Sequence, residues 1–163
     1  MGTSRDEPGI RRASGVMQYR NLDDQADDLE LTLPARAENV AVVRHAFGGL
    51  GDVLGVPDQT LSDIKLAVTE ACTNVVVHAY PGGEGPLAVR ARIDERVLTV
   101  VVADDGRGIS PRPDSPGLGL GLPLIATLAE SLELGTGPTD QTEVRMTFNL
   151  NGVAAGADDS VHA

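Results

Sequence analysis

A chain of 163 residues with 41% apolar side chains is long enough, and apolar enough, for one domain with a buried core. A net charge of −11 lacks the basic footprint that direct nucleic-acid binding requires, so any anionic ligand has to be held locally by backbone amides, a metal or a few arginines. One cysteine excludes an intramolecular disulfide. No apolar run reaches membrane-spanning length, and no apolar stretch follows the charged N-terminus as a secretory signal would, so no membrane partner and a cytoplasmic location are expected.

Residues 1–28 are rich in Arg, Asp, Gly and Ser and read as a flexible leader, with Asp23-Asp24 and Asp27-Asp28 as solvated charges. The folded unit is expected over residues 29–150, and residues 151–163 as a flexible tail. Leu29 to Leu33 alternates apolar and polar, the pattern of a half-buried strand, and Pro34 ends it. Val40, Val43, Phe47 and Leu50 recur at helical spacing, and Gly48, Gly49, Gly51 and Gly55 mark a frayed end and a loop. A second helix follows Pro57, capped by Asp58 or Ser62, with Leu61, Ile64, Val68, Ala71, Cys72 and Val75 as its apolar stripe. The breakers Tyr80-Pro81-Gly82-Gly83 stop it.

Leu87 to Ile93 alternates, a turn at Asp94-Glu95 follows, and Val97 to Ala103 reads as a central strand. A Gly/Pro-rich loop from Gly106 to Gly121 precedes a helix from about Leu122 to Ser131, with Pro123 in its first turn. A short strand near Leu132 to Leu134 and a longer alternating one from Val144 to Leu150 complete the unit. Short turns between consecutive strands predict an α+β, two-layer sandwich: a mixed, mostly antiparallel sheet with helices on one face.

Three constellations carry chemistry. Glu70 and Asn74 lie one turn apart on the second helix, away from its apolar stripe. A carboxamide oxygen can ligate Mg²⁺ and a carboxylate can take a proton from a hydroxyl, although a solvent-facing helix side has the same pattern. Asp104-Asp105-Gly106-Arg107-Gly108 follows the central strand. It reads as a turn with positive-φ positions, where an acidic oxygen can accept from an adenine amino group, or as a plain Asp-Gly turn. Gly117, Gly119 and Gly121 stand before an apolar helix, where free amides can cradle phosphates or the glycines can serve as a hinge. Neither a P-loop nor a Rossmann fingerprint fits this segment.

In this order, the three constellations resemble the N, G1 and G2 boxes of the Bergerat-fold ATPases (the GHKL superfamily). The run Glu70-Ala-Cys-Thr-Asn74-Val-Val-Val-His78-Ala-Tyr80 is similar to the anti-sigma-factor serine/threonine kinase branch in particular. The resemblance spans about Leu29 to Leu150 and implies a histidine-kinase-like ATP-binding domain using ATP and Mg²⁺. It implies Asn74 as the Mg²⁺ and nucleotide ligand, Glu70 as general base toward a serine or threonine hydroxyl, and Asp104 as the adenine acceptor. Gly106 and Gly108 would shape the adenine pocket, Gly119 and Gly121 would meet phosphates, and Thr142 would approach the adenine side. Arg44, on the exposed side of the first helix, stands where such kinases meet protein partners.

The implied function is partner switching: binding a sigma factor and phosphorylating an anti-anti-sigma antagonist. A sequestration module without useful phosphotransfer and a kinase for another regulator are the alternatives, and a homodimer is left open. The lid, Ile109 to Leu118, is short and carries Pro111, Pro113 and Pro116, with Arg107 and Arg112 as the cations nearest a γ-phosphate, and Gln141 replaces the glycine common in the family before Thr142. His78 reads as a helix-end cap or packing residue and Cys72 as an inert core thiol.

Overall fold

The computed structural model describes residues 27–106 and 118–151, with the backbone alone at 118–120. In chain order the elements are β1 (Leu29–Pro34), α1 (Ala37–Leu54), α2 (Asp58–Asn74), a π-helical turn (Val75–Ala79), β2 (Pro86–Asp94), β3 (Val97–Asp104), α3 (Leu118–Leu128), β4 (Ser131–Thr136) and β5 (Thr142–Asn149). The strands form one sheet in the order β1-β2-β3-β5-β4, and every neighbouring pair is antiparallel. The helices supply the second layer, as the α+β expectation requires.

Strand alternation sends one set of side chains toward the helices. Leu87, Val89 and Ala91 of β2, Leu98, Val100 and Val102 of β3, and Val144, Met146 and Phe148 of β5 are all buried. They pack with Val43 and Phe47 of α1, Ile64, Val68, Ala71 and Cys72 of α2, and Ile125 of α3. Burial pushes the Cys72 thiol up to about 12, so it stays a protonated core group. On the other face Arg90 and Arg145 stand in register beside Val101, and Arg90 Nη2 donates to Glu143 Oε1 at 2.8 Å. Asp28 already belongs to the sheet: its N–H donates to the Ala91 carbonyl, and its Oδ2 accepts from Ile93 N–H at 2.7 Å.

Several local expectations need correction. The helix α1 does not fray at Gly48 or Gly49; it continues to Leu54 and ends on Gly55, whose φ of 64° is the left-handed cap conformation. Gly51 is there for packing, because a Cβ at that position would lie 2.4 Å from Leu61 Cδ1 of α2. Neither Asp58 nor Ser62 caps α2; the cap position is Pro57, without a side-chain bond, while Asp58 sits in the first turn where its charge meets the helix dipole favourably. The β2–β3 turn centres on Glu95 and Arg96, both at positive φ, one residue later than the sequence suggests. Arg96 is fastened there by donating from Nη2 to the Leu150 carbonyl and from Nη1 to that of Leu54.

The largest correction concerns the third helix. It begins at Leu118, four residues early, so Gly119 and Gly121 lie within it and Pro123 is inside it rather than in its first turn. Proline lacks the N–H that would bond back one turn, so the carbonyl of Gly119 is released from that helical bond. The helix also ends at Leu128, and Ser131 opens β4.

Candidate functional site

The helix α2 runs straight into the π-helical turn Val75–Ala79. Three consecutive β-branched valines crowd a normal helical turn, and one-turn π insertions concentrate at functional sites. Glu70 and Asn74 occupy the last turn of α2, both half-buried. Asn74 faces α3: a Cβ on the buried Gly121 would lie 3.0 Å from Asn74 Nδ2 and 3.1 Å from its Oδ1. Glycine at 121 therefore lets the carboxamide sit directly on the backbone of the helix that carries the third glycine motif.

The π turn delivers a second close contact. A Cβ on Gly106 would lie 2.1 Å from the carbonyl oxygen of Ala79. The positive φ expected in this turn is not observed at Gly106. What demands glycine there is the approach of two backbones, because a carbonyl on a packed helix end cannot move aside. Gly106→Ala is expected to lower stability by about 1–3 kcal/mol, as overpacking does, and thermal unfolding checks it. A variant as stable as the parent would mean that the β3 turn can move away from α2 freely.

Asp104 ends β3 on the helix-facing side, in register with Thr142 of β5 on one flank and Leu87 of β2 on the other. It is one of two buried charged residues among the described residues, at 8% exposure. Its Oδ1 accepts from the Gly106 N–H at 2.9 Å, a self-closing turn that fixes the carboxylate plane. Burial raises its pKa above the ordinary aspartate value, the Gly106 N–H opposes the rise, and the Asp105 charge adds to it.

The structure thus gathers most of the predicted residues at the ends of α2, β3, α3 and β5. Glu70 and Asn74 are one turn apart, Gly121 touches Asn74, Gly106 touches the π turn that follows Asn74, and Thr142 stands beside Asp104. Gly119 lies in the first turn of α3. Gly108, Arg107, Arg112 and nearly all of the expected lid lie outside the described residues. His78 is half-buried in the last turn of the π segment. Chemically the arrangement offers a buried acceptor at Asp104, a carboxamide oxygen at Asn74 and a carboxylate at Glu70.

Arg44 is not part of this cluster. It is exposed and lines a groove of about 670 Å³ between α1 and α2, together with His45, Lys65 and Thr69. Gly48 and Gly49 line the groove on the α1 side. At its far end Thr69 immediately precedes Glu70, so the groove and the clustered residues are neighbours along α2.

Tyr80 closes the N-box-like run and the helix in the sequence, but the sequence assigns it no role in the site. Its hydroxyl accepts from the Asp105 N–H at 2.9 Å and donates to the Pro86 carbonyl at 2.5 Å. The signal available was one of only two tyrosines in the chain, standing between the helix and its breakers.

Residues 33–148 match the model of the histidine kinase-like ATPase domain. A serine-protein kinase RsbW from Halalkalibacterium halodurans is 37% identical, over 68% of this chain and 76% of that protein. One from Bacillus thuringiensis is 33% identical, over 68% of this chain and 79% of that protein. A solved structure of the RsbU and RsbW domains of Rv1364c from Mycobacterium tuberculosis superposes with a TM-score of 0.59 at 22% identity. It covers 75% of this chain and 31% of that one, a likeness of fold.

Proposed function

The chain belongs to the histidine kinase-like ATPase family, and from that membership we propose that it is a Mg²⁺-ATP-dependent protein serine/threonine kinase of the anti-sigma-factor type. It binds a sigma factor, and it phosphorylates an anti-anti-sigma antagonist on a serine or threonine so that the antagonist lets go. The observation that carries this reading is the seating of the Asn74 carboxamide on Gly121, one helical turn from Glu70 and joined through the π turn to the Asp104–Gly106 corner.

ATP lies with its adenine at Asp104. Oδ1 is held by Gly106, which leaves Oδ2 to accept from the adenine amino group. Gly106 and Thr142 border the adenine. Asn74 would hold the Mg²⁺, which would supply charge neutralisation to the triphosphate, and backbone amides at Gly119 and Gly121 would meet phosphate oxygens. Glu70 takes the proton of the acceptor hydroxyl as its oxygen bonds to the γ-phosphorus, and the bond from that phosphorus to the bridging oxygen breaks to release ADP. Catalysis is then mostly positioning and charge neutralisation, as in phosphoryl transfer generally. The direct test is incubation with labelled ATP, Mg²⁺ and an antagonist protein. Phosphoserine or phosphothreonine on the antagonist is the expected product, and an unlabelled antagonist under saturating nucleotide would remove the kinase assignment.

Arg44 contacts the protein partner. Its groove carries Arg44 and Lys65 against Asp52, a locally basic surface on a strongly acidic protein, and Thr69 at its wall is the residue before Glu70. Arg44→Glu is expected to weaken partner binding by about tenfold or more through charge reversal while leaving nucleotide affinity unchanged. Partner affinity measured by calorimetry separates this from a solvated surface arginine, which would change neither.

A further inference from the structure

We propose that Tyr80 is a positioning residue for nucleotide recognition, a phenol clamp that fixes the Asp104–Gly106 corner from the helix side. The inference rests on the adenine-site reading of Asp104 and adds a residue that the box motifs leave without a role.

The geometry is a three-way tie. Tyr80 follows the π turn directly, so its ring leaves the helix layer and passes toward the mouth of the β2–β3 hairpin. There its hydroxyl joins the first residue of β2 to the residue after the last of β3: it donates to the Pro86 carbonyl and accepts from the Asp105 N–H. Those two groups lie just past Leu87 and Asp104, the final pair of the ladder. The ladder gives no partner to the Asp105 N–H, and Tyr80 supplies it.

Holding the Asp105 N–H fixes the peptide that joins Asp104 to Asp105. The Gly106 N–H then holds Asp104 Oδ1 from the following peptide. The carboxylate is therefore constrained through two consecutive peptides, one tied to Tyr80 and one to the carboxylate itself. Burial raises the Tyr80 pKa, so the hydroxyl keeps the proton it donates to Pro86.

The ring is held as well as the hydroxyl. A Cβ on Gly85 would lie 2.1 Å from Tyr80 Cε1 and 2.3 Å from Cζ, so the glycine before β2 leaves room for the ring face. Gly106 packs on the Ala79 carbonyl one residue before Tyr80. Two glycines and one phenol thus lock the end of the π turn to both strands at the Asp104 corner. Neither glycine has positive φ, so both are explained by close approach.

Tyr80→Phe keeps the ring and deletes both hydrogen bonds. It is expected to raise Kd for ATP and ADP, and KM for ATP, about tenfold, with kcat unchanged, because Glu70 and Asn74 sit on α2 and not on the clamped turn. Backbone amide exchange in the nucleotide-free protein should quicken at Asp105 and Gly106 and stay as in the parent across α2. Gly85→Ala, which displaces the ring without removing its hydroxyl, should reproduce the loss of affinity. Combined with Asp104→Asn, Tyr80→Phe should add less than its own single effect, since both act on one network.

A Tyr80→Phe protein that binds nucleotide as the parent does overturns the inference alone. So does one whose kcat falls with KM unchanged, or whose Asp105 exchange matches the parent. A parent protein that binds neither ATP nor ADP overturns the adenine-site reading, and the clamp's role in recognition falls with it.

Discussion

Glu70→Gln is expected to cripple phosphotransfer while leaving nucleotide binding intact. The substitution keeps size and shape and removes only the capacity to take a proton. General-base assistance contributes roughly 10²–10⁴-fold, so the rate of antagonist phosphorylation should fall by at least about 100-fold. ATP affinity should stay within about twofold, because Asp104, proposed to accept from the adenine, and the glycine contacts lie on other elements and Asn74 is untouched. Single-turnover phosphorylation, with calorimetric Kd measured in parallel, reads both numbers. A variant that phosphorylates at the parental rate would remove Glu70 from the chemistry. A parent that binds ATP and partner but transfers nothing would make the protein a sequestering module, for which Glu70→Gln is silent.

Asp104→Asn acts on the other half of the site and in two opposite directions. The amide oxygen can still accept from Gly106 N–H, so the turn survives, but Oδ2 is replaced by an NH2 donor that cannot accept from the adenine amino group. Losing a charge-assisted hydrogen bond of about 1.5–3 kcal/mol predicts nucleotide binding weaker by roughly 10- to 100-fold. Stability should move the other way. Burial holds the folded-state pKa of Asp104 above its unfolded value, so the ionised carboxylate costs more in the folded protein than in the unfolded chain. That cost is present above the folded pKa and disappears as pH falls through it. The variant should therefore melt higher than the parent at neutral pH, and the two should converge in acid. Nucleotide affinity of the parent should begin to fall on acidification at a pH above that of an ordinary aspartate, and the variant should lack this dependence. Equal affinity for ATP in parent and variant at neutral pH would remove Asp104 from adenine recognition.

The order of strands and helices was legible because alternation at Leu29–Leu33, Leu87–Ile93 and Val144–Leu150 and the helical stripe of α2 are strong local signals. The boundaries were not legible where glycine had a reason other than chain reversal. Gly48, Gly49 and Gly51 look like a frayed end, yet Gly51 is fixed by Leu61 of the neighbouring helix, a contact between residues that turn signals cannot relate. Gly119 and Gly121 look like a loop, yet they lie in α3 because the close seating of Asn74 requires a bare backbone at Gly121.

In the site, the residue types at Glu70, Asn74 and Asp104 were readable from spacing, and the register of Thr142 beside Asp104 is a product of sheet order. The π turn was not foreseen, since three valines crowd a helical turn without specifying which irregular form relieves it. Tyr80 had a place in the N-box-like run but no role, because its partners, Pro86 and Asp105, are brought to it only by the hairpin.

The central claim is a nucleotide pocket at the corner of α2, β3 and α3. Calorimetric titration of the full chain with ATP and with ADP, each with and without Mg²⁺, tests it most directly. The predicted result is saturable binding at one site per chain, with ATP bound more tightly when Mg²⁺ is present. Absence of heat with both nucleotides at millimolar concentration, from protein whose thermal unfolding shows it folded, would contradict it.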